Sequence, residues 1–157
     1  MTTSQLELLF DKSDERKPLS GEEFVDEVVR FTDFGKKTEI LEFPDKKFPI
    51  PVLVNEFWTS KQRAAHSLHE ISYRACFKPQ LPRFYINRLT TQGDIVYDPF
   101  MGRGTTLIEA GLLGRRQAGC DVNPLSAILV APRFSPPRPL EVRERLSAID
   151  LESLVDV

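Results

Sequence analysis

The stretch from Asp94 to Asp121 constrains the fold of this chain more than any other, because its residue pattern changes period three times in quick succession. Asp94-Ile95-Val96-Tyr97-Asp98 is a short β-prone run, and Pro99 to Gly104 is a tight loop containing glycine. Thr105 to Leu113 returns to helical spacing with Gly114 as its cap, and Arg116 to Cys120 reads as a second strand that ends at Asp121. Strand, glycine loop, helix and strand make one β-α-β unit of a parallel sheet. The expected fold class is therefore α/β and Rossmann-like, a parallel sheet flanked by helices. With 157 residues, 41% of them apolar, the chain buries one modest core, as a single domain or a piece of a larger one.

The flanking segments are read more coarsely. Residues 1–19 are expected to form a loosely ordered tail, and residues 20–56 a helix followed by an extended arm. Ser20-Gly21-Glu22-Glu23 has the form of a capping box, so a helix starts there, carried by Phe24, Val25, Val28, Val29 and Phe31, with Gly35 as its stop. Pro44, Pro49 and Pro51 forbid a long helix between Thr38 and Phe57 and leave room for one short strand. Thr59 or Ser60 is expected to cap a second helix reaching Cys76, and Pro79 to Leu89 to form a third. After a helix from Asn123 to Val130, the prolines at 132, 136, 137 and 139 predict a bend, then a polar helix from Leu140 to Ile149. Residues 135–157 thus read as a proline bend and a terminal helix.

The loop Asp98-Pro99-Phe100-Met101-Gly102-Arg103-Gly104-Thr105-Thr106 carries the chemistry. Gly102 and Gly104 allow close backbone approach, and the amides at the following helix start, with the Thr105 and Thr106 hydroxyls, favour an anion. A dinucleotide fits poorly. Leu107 stands where the third glycine of G-x-G-x-x-G belongs, and Asp98 at the strand end would repel a diphosphate. A zwitterion fits better: the methionine end of S-adenosylmethionine offers an ammonium for Asp98 and a carboxylate for the Gly102–Thr106 turn. Asp121, nineteen residues beyond Gly102 at the end of the next strand, is placed to accept hydrogen bonds from ribose hydroxyls.

Asp98 to Thr106, Glu109-Ala110-Gly111, Leu113-Gly114-Arg115 and Gly119-Cys120-Asp121 resemble motifs I and II of the DNA methyltransferases that modify exocyclic amines, the cytosine-N4 and adenine-N6 group. Phe77-Lys78-Pro79-Gln80-Leu81 resembles the motif X of that family, a loop that closes over the methionine end of the cofactor. The resemblance covers residues 57–134. It implies a methyltransferase core that binds S-adenosyl-L-methionine through Phe77, Lys78, Pro79, Asp98, Pro99, Phe100, Gly102, Gly104, Thr105, Thr106 and Asp121. It also implies duplex DNA as partner, with the target base flipped out of the stack.

The sequence departs from that family in one respect. Family members hold the amine with an Asp, Asn or Ser followed by Pro-Pro and an aromatic residue, and no such tetrapeptide occurs here. Ser135-Pro136-Pro137 ends in Arg138 and reads as a bend, and Asn123-Pro124-Leu125 reads as a helix start. Cys76 and Cys120 do not follow a proline, as the nucleophile of carbon-5 methylation does, and read as buried small residues. The catalytic residues are accordingly unassigned. A full sheet of this type needs about seven strands, so the chain is expected to be a truncated piece, or to take its remaining strands and catalytic motif from a second polypeptide. The competing readings are a fragment of a tRNA guanine-N2 methyltransferase and a cofactor-binding or assembly module without catalysis.

Charge and composition narrow the setting. Residues 57–116 hold nine bases against four acids, whereas residues 1–56 hold thirteen acids against eight bases, so the middle points mildly toward phosphate. His66 and His69 would share a helix face without a third metal ligand, and no metal site is expected. Trp58 reads as a core anchor or a cover for an adenine ring. Two isolated cysteines and the lack of an export signal or membrane-length apolar run predict a cytoplasmic protein.

Overall fold

The computed structural model describes residues 16–42, 51–58, 65–70 and 77–149. In chain order the elements are α1 (Gly21–Arg30), β1 (Glu39–Leu41), β2 (Val52–Val54), a single 3-10 turn (Ser67–His69), α2 (Gln80–Leu89), β3 (Ile95–Asp98), α3 (Thr105–Leu112), β4 (Arg116–Gly119), α4 (Pro124–Phe134) and α5 (Pro139–Ser147). The expected β-α-β unit is present. β3 and β4 pair in parallel, with Ile95 opposite Arg116 and Asp98 opposite Gly119, and α3 makes the crossover.

The capping box at α1 is formed as the sequence requires: Ser20 Oγ accepts from the Glu23 amide at 3.3 Å, and Glu23 Oε2 accepts from the Ser20 amide at 2.7 Å. The helix ends before Gly35, however. Phe31 is already extended (ψ 124°), and Gly35 (φ +80°) sits in the next turn, donating to the Thr32 carbonyl. Packing of Phe31 explains the early stop, since its ring lies 5.7 Å from Phe84, 5.3 Å from Phe57 and 5.9 Å from Phe34. The arm that follows holds two short strands in place of the expected one. Ile40 pairs with Leu53 in antiparallel register, while Pro51 lies just outside the paired triplet. Asn55 Nδ2 ties this hairpin to α1 by donating to the Phe31 carbonyl (2.9 Å) and to Thr38 Oγ1 (3.0 Å).

Phe84 on α2 is the hub of the first core. Phe24, Phe31, Phe57, Trp58 and Tyr85 all place their ring centroids within 6.3 Å of it, and the Arg88 guanidinium lies 3.8 Å from its ring centre. Trp58 is thus a core anchor. Arg88 also bonds Glu27 at 2.7 Å, which fastens α2 to α1. Leu107, Ile108 and Ala110 of α3 and Val130 of α4 are also buried, with Leu107 against Gly119 of β4 and Val130 against Gly104.

Two expectations about helices fail. The proposed helix from Thr59 or Ser60 to Cys76 is broken where it falls on described residues: His66 is extended (ψ 144°) and only one 3-10 turn follows. Thr59, Ser60 and residues 71–76 lie outside the described residues. Pro132 does not bend the chain but sits inside α4, which runs on to Phe134. Its missing N–H frees only the carbonyl of Ile128, a residue 68% exposed to water, so the usual penalty of an interior proline is softened. The bend comes at Ser135 to Arg138, where Ser135 ends α4 and Arg138 precedes α5. No described helix is long and apolar enough to cross a membrane.

Because Phe84 is shared by both sides of the first core, Phe84→Ala is expected to lower the unfolding free energy by about 3–5 kcal/mol. Ser20→Ala, which removes only a cap, should cost about 1 kcal/mol. Urea titrations of the two variants check the ranking, and equal losses would contradict it.

Candidate functional site

The parallel register brings Asp98 and Asp121 to the same edge of the sheet. Asp98 closes β3, and Asp121 follows β4 by two residues. Two backbone bonds hold the strand ends together, Cys120 N–H to the Asp98 carbonyl and Met101 N–H to the Cys120 carbonyl, each 3.1 Å. The loop between β3 and α3 therefore lies across the end of β4. Gly102 N–H donates to Asp121 Oδ2 at 2.8 Å, and Asn123 N–H donates to Asp121 Oδ1 at 2.8 Å. These amides of Asn123 and Gly102 hold the Asp121 carboxyl below the usual aspartate range. The sequence reading gave Asp121 to ribose hydroxyls. Here it also fixes its own loop, and two carboxylate oxygens keep further acceptor positions for such hydroxyls.

Asp98 Oδ1 accepts from the Phe100 amide at 2.9 Å, so Pro99 and Phe100 form a turn folded back on that carboxylate. Phe100 is 83% exposed and presents its ring at the strand edge. Gly102 and Gly104 both have positive φ, +50° and +83°. Packing within the fold by itself requires Gly104. A Cβ there would lie 2.5 Å from Val130 Cγ2, so the glycine lets the loop pack on α4. Gly119 is similarly enclosed, with its added Cβ meeting Leu107 at 2.8 Å and Met101 at 3.0 Å.

The two threonines part company. Thr105 is buried, and its Oγ1 accepts from Arg103 Nε at 3.1 Å, which leaves its O–H as the donor. Thr106 lines an apolar cleft of about 420 Å³ with Phe77, Leu81, Tyr85 and Val96. Phe77 of the Phe77-Lys78-Pro79 loop is thereby brought beside the first turn of α3. The Lys78 and Pro79 carbonyls start α2 by accepting from the Leu81 and Arg83 amides. Gly104, as the residue preceding α3, offers no side chain to cap it. The amides of the first helical turn thus remain directed at whatever lies above the strand ends.

Other predicted residues fall elsewhere. His66 and His69 do not share a helix face: His66 Nδ1 accepts from the Leu68 amide, while the His69 ring is buried with Nε2 2.7 Å from Glu109 Oε1. Cys120 is exposed, contrary to its expected burial, and its sulfur lies 3.3 Å from the Tyr97 hydroxyl. Cys76 lies outside the described residues. Several bases of the middle segment are engaged in the fold: Arg83 with Glu109, Arg88 with Glu27, Arg115 with the Thr90 and Leu113 carbonyls, and Arg116 with the Gly93 carbonyl. Glu109, buried in α3, was not singled out from sequence. Its signal was a carboxylate among Leu107, Ile108 and Ala110. The described residues contain no cluster of three or more metal-ligating side chains.

A parallel β-α-β unit with an acid at each strand end and a glycine turn between them defines an α/β nucleoside-binding class. A family model described as DNA methylase, of the N6 and N4 type, matches residues 8–127, and the chain belongs to that family. It is 36% identical over 78 residues to the type II methyltransferase M.MjaII of Methanocaldococcus jannaschii, a match spanning 49% of this chain and 14% of that protein. It is 35% identical over 91 residues to a tRNA (guanine(10)-N2)-dimethyltransferase of the same organism, spanning 51% of this chain and 26% of that one. A solved structure from Thermus thermophilus, described as a candidate DNA modification methylase complexed with S-adenosyl-L-methionine, overlaps 62% of this chain and 54% of its own at 25% identity and a TM-score of 0.37. The chain thus spans about a quarter or less of the length of these two curated relatives.

Gly104→Ala combines a steric clash with left-handed backbone, the latter alone worth about 1–2 kcal/mol. In a Val130→Ala background the clash is gone and the backbone term stays. Gly104→Ala should therefore destabilise the wild type more than it destabilises Val130→Ala. Equal losses in denaturant titrations would show that Val130 does not set the glycine.

Proposed function

We propose that this chain is the S-adenosyl-L-methionine-binding portion of an amino-methyltransferase acting on DNA, at cytosine-N4 or adenine-N6. One observation carries the reading: Asp98 and Asp121 stand on adjacent parallel strand ends with the Gly102–Thr106 turn between them. The residues suit the donor. Among the described residues only the Phe100 amide bonds the Asp98 carboxylate, so an α-ammonium finds a charged acceptor there. The uncapped first turn of α3 suits the α-carboxylate, and Asp121, kept ionised, suits the ribose hydroxyls. Phe77 lines the cleft beside Thr106, and in this reading Lys78, Pro79, Pro99 and Phe100 complete the donor site. When bound, the donor supplies an activated methyl group. The chain orients it, and alignment with the acceptor amine is the larger part of such catalysis.

The acceptor side needs more polypeptide. Ser135-Pro136-Pro137-Arg138 is the linker between α4 and α5, and Asn123 caps α4 by accepting from the Leu125 amide at 3.1 Å. Neither is disposed to hold a flipped base. We assign the tetrapeptide and the remaining strands to a second polypeptide or further chain, and the whole enzyme to the cytoplasm beside duplex DNA. Similarity to the tRNA dimethyltransferase supports a second reading, in which the acceptor is a tRNA guanine.

Calorimetry with S-adenosyl-L-methionine should show binding by the wild-type chain. Asp98→Ala and Asp121→Ala should each weaken it by about 10- to 150-fold, the loss of a charged acceptor worth about 1.5–3 kcal/mol. Because the Asp121 pKa is depressed, its contribution is present above that lowered value and lost only as the pH falls through it. The ratio of wild-type to Asp121→Ala affinity should then stay constant from about pH 7 to about pH 5. Labelled methyl transfer by the chain mixed with its genomic neighbour's product, offered duplex DNA and tRNA separately, chooses the acceptor. Donor binding without transfer to either would leave only a module without catalysis.

A further inference from the structure

One buried carboxylate joins the 3-10 turn that precedes Phe77–Pro79 in the chain, and the helix that follows it, to the helix after the glycine turn. Glu109 projects from α3 with its side chain 2% exposed. Its Oε1 is 2.7 Å from His69 Nε2, in the 3-10 turn before the loop, and its Oε2 accepts from Arg83 Nε at 2.7 Å, on α2 after the loop. The His69 side chain is 3% exposed and that of Arg83 is half-exposed. Burial pushes the Glu109 carboxyl up, but the bonds and charge of His69 and Arg83 prevail and hold it below the usual glutamate range. It is therefore an ionised group in the buried part of α3, one turn beyond the buried Thr105.

The same turn is gripped from two other elements. Arg103, between the two loop glycines, donates to the His69 carbonyl at 3.4 Å as well as to Thr105 Oγ1. Arg133 of α4 donates to the Leu68 carbonyl at 2.9 Å and lies 3.8 Å from the Glu70 carboxylate. The 3-10 turn is thus bonded to the glycine loop, α3 and α4 at once. Its connection to α2 passes through Phe77, which shares a cleft with Thr106. An apolar residue would fill the Glu109 site at less desolvation cost, so core packing does not account for a carboxylate there.

We infer that Glu109 is a positioning residue for donor binding: by holding His69 and Arg83 together it fixes the Phe77–Pro79 loop in the arrangement that covers the donor. This rests on the donor-binding reading above. A loop fixed in advance binds without an ordering penalty, whereas one that visits the competent arrangement a tenth of the time binds about tenfold more weakly.

The test compares Glu109→Leu, Glu109→Gln and Arg83→Gln with the wild type in three measurements: urea unfolding without ligand, calorimetric affinity for S-adenosylhomocysteine, and amide hydrogen exchange across residues 66–83 without ligand. Glu109→Leu is expected to lose stability, because the buried His69 ring is left without its partner, to exchange faster at residues 77–81 than Glu109→Gln and to bind about tenfold or more weakly. Glu109→Gln should recover part of the affinity, because its amide can donate to His69 while its carbonyl accepts from Arg83. Wild-type affinity and exchange in Glu109→Leu would overturn the inference. If that variant fails to fold, the half-exposed site decides: Arg83→Gln must show faster exchange and weaker binding, and wild-type behaviour there overturns it equally. Should the wild type bind no nucleoside at all, the donor reading falls, and unchanged exchange in the variants would remove the loop-holding role as well.

Discussion

The bond from the Gly102 amide to the Asp121 carboxylate is the contact on which the rest of the site depends. It joins two residues nineteen positions apart and lays the loop after β3 across the end of β4. Without parallel pairing the two would be separated by the length of a strand, since an antiparallel neighbour would carry its terminal acid to the opposite edge. The helical crossover of α3 makes that pairing possible, and the buried face of α3 makes it stable. Leu107 and Ile108 are nearly inaccessible, and Leu107 fills the space left by Gly119 on β4. Chemistry at the strand ends is thus a consequence of packing beneath them.

The glycines of the loop illustrate how one residue type serves two constraints. Positive φ at Gly102 and Gly104 sets the turn, yet Gly104 also admits Val130 of α4. A third helix is therefore part of the site's foundation although it presents no side chain to a ligand there. Arg133 of that helix reaches the turn containing His69, so α4 supports the glycine loop on one side and the His69 turn on the other. Glu109 completes the arrangement from within. Loss of His69 or of Arg83 would leave one oxygen of the buried Glu109 carboxylate without its partner, a larger penalty than the pair itself repays.

How far the sequence was legible follows from the range of the forces involved. Local signals were read correctly: the capping box at Ser20, the period change at Asp94, the strand, loop and helix through Leu112, and Asn123 as a helix cap. Each depends on residues within a few positions. Features set by distant contacts were not legible. Phe31 leaves its helix early because Phe84 and Phe57 receive it, and Pro132 stays helical because the carbonyl it frees lies at an exposed residue. In the candidate site, the placing of Asp98 and Asp121 at neighbouring strand ends was legible from their spacing. The Glu109 cluster joins residues forty and twenty-six positions apart, which no local pattern encodes. The burial of Thr105 was not legible either, since its hydroxyl meets an arginine that also reaches the His69 turn.

The parallel pair also limits what these residues do unaided. Parallel strands are ordinarily covered on both faces and flanked by further strands. Here Ile95 and Tyr97, two positions apart and so on one face of β3, are 58% and 61% exposed, and among the described residues β3 pairs only with β4. Leu140 and Leu146 of α5 are similarly open at 62% and 64%, and that helix buries nothing. An apolar strand face left in water costs roughly 25 cal/mol for every Å² it exposes, a strong incentive to acquire a cover. The proposal that additional polypeptide completes the sheet rests on this uncovered face as much as on the missing tetrapeptide. An added strand beside β3 would have one end next to Asp98, at the edge where the glycine turn lies.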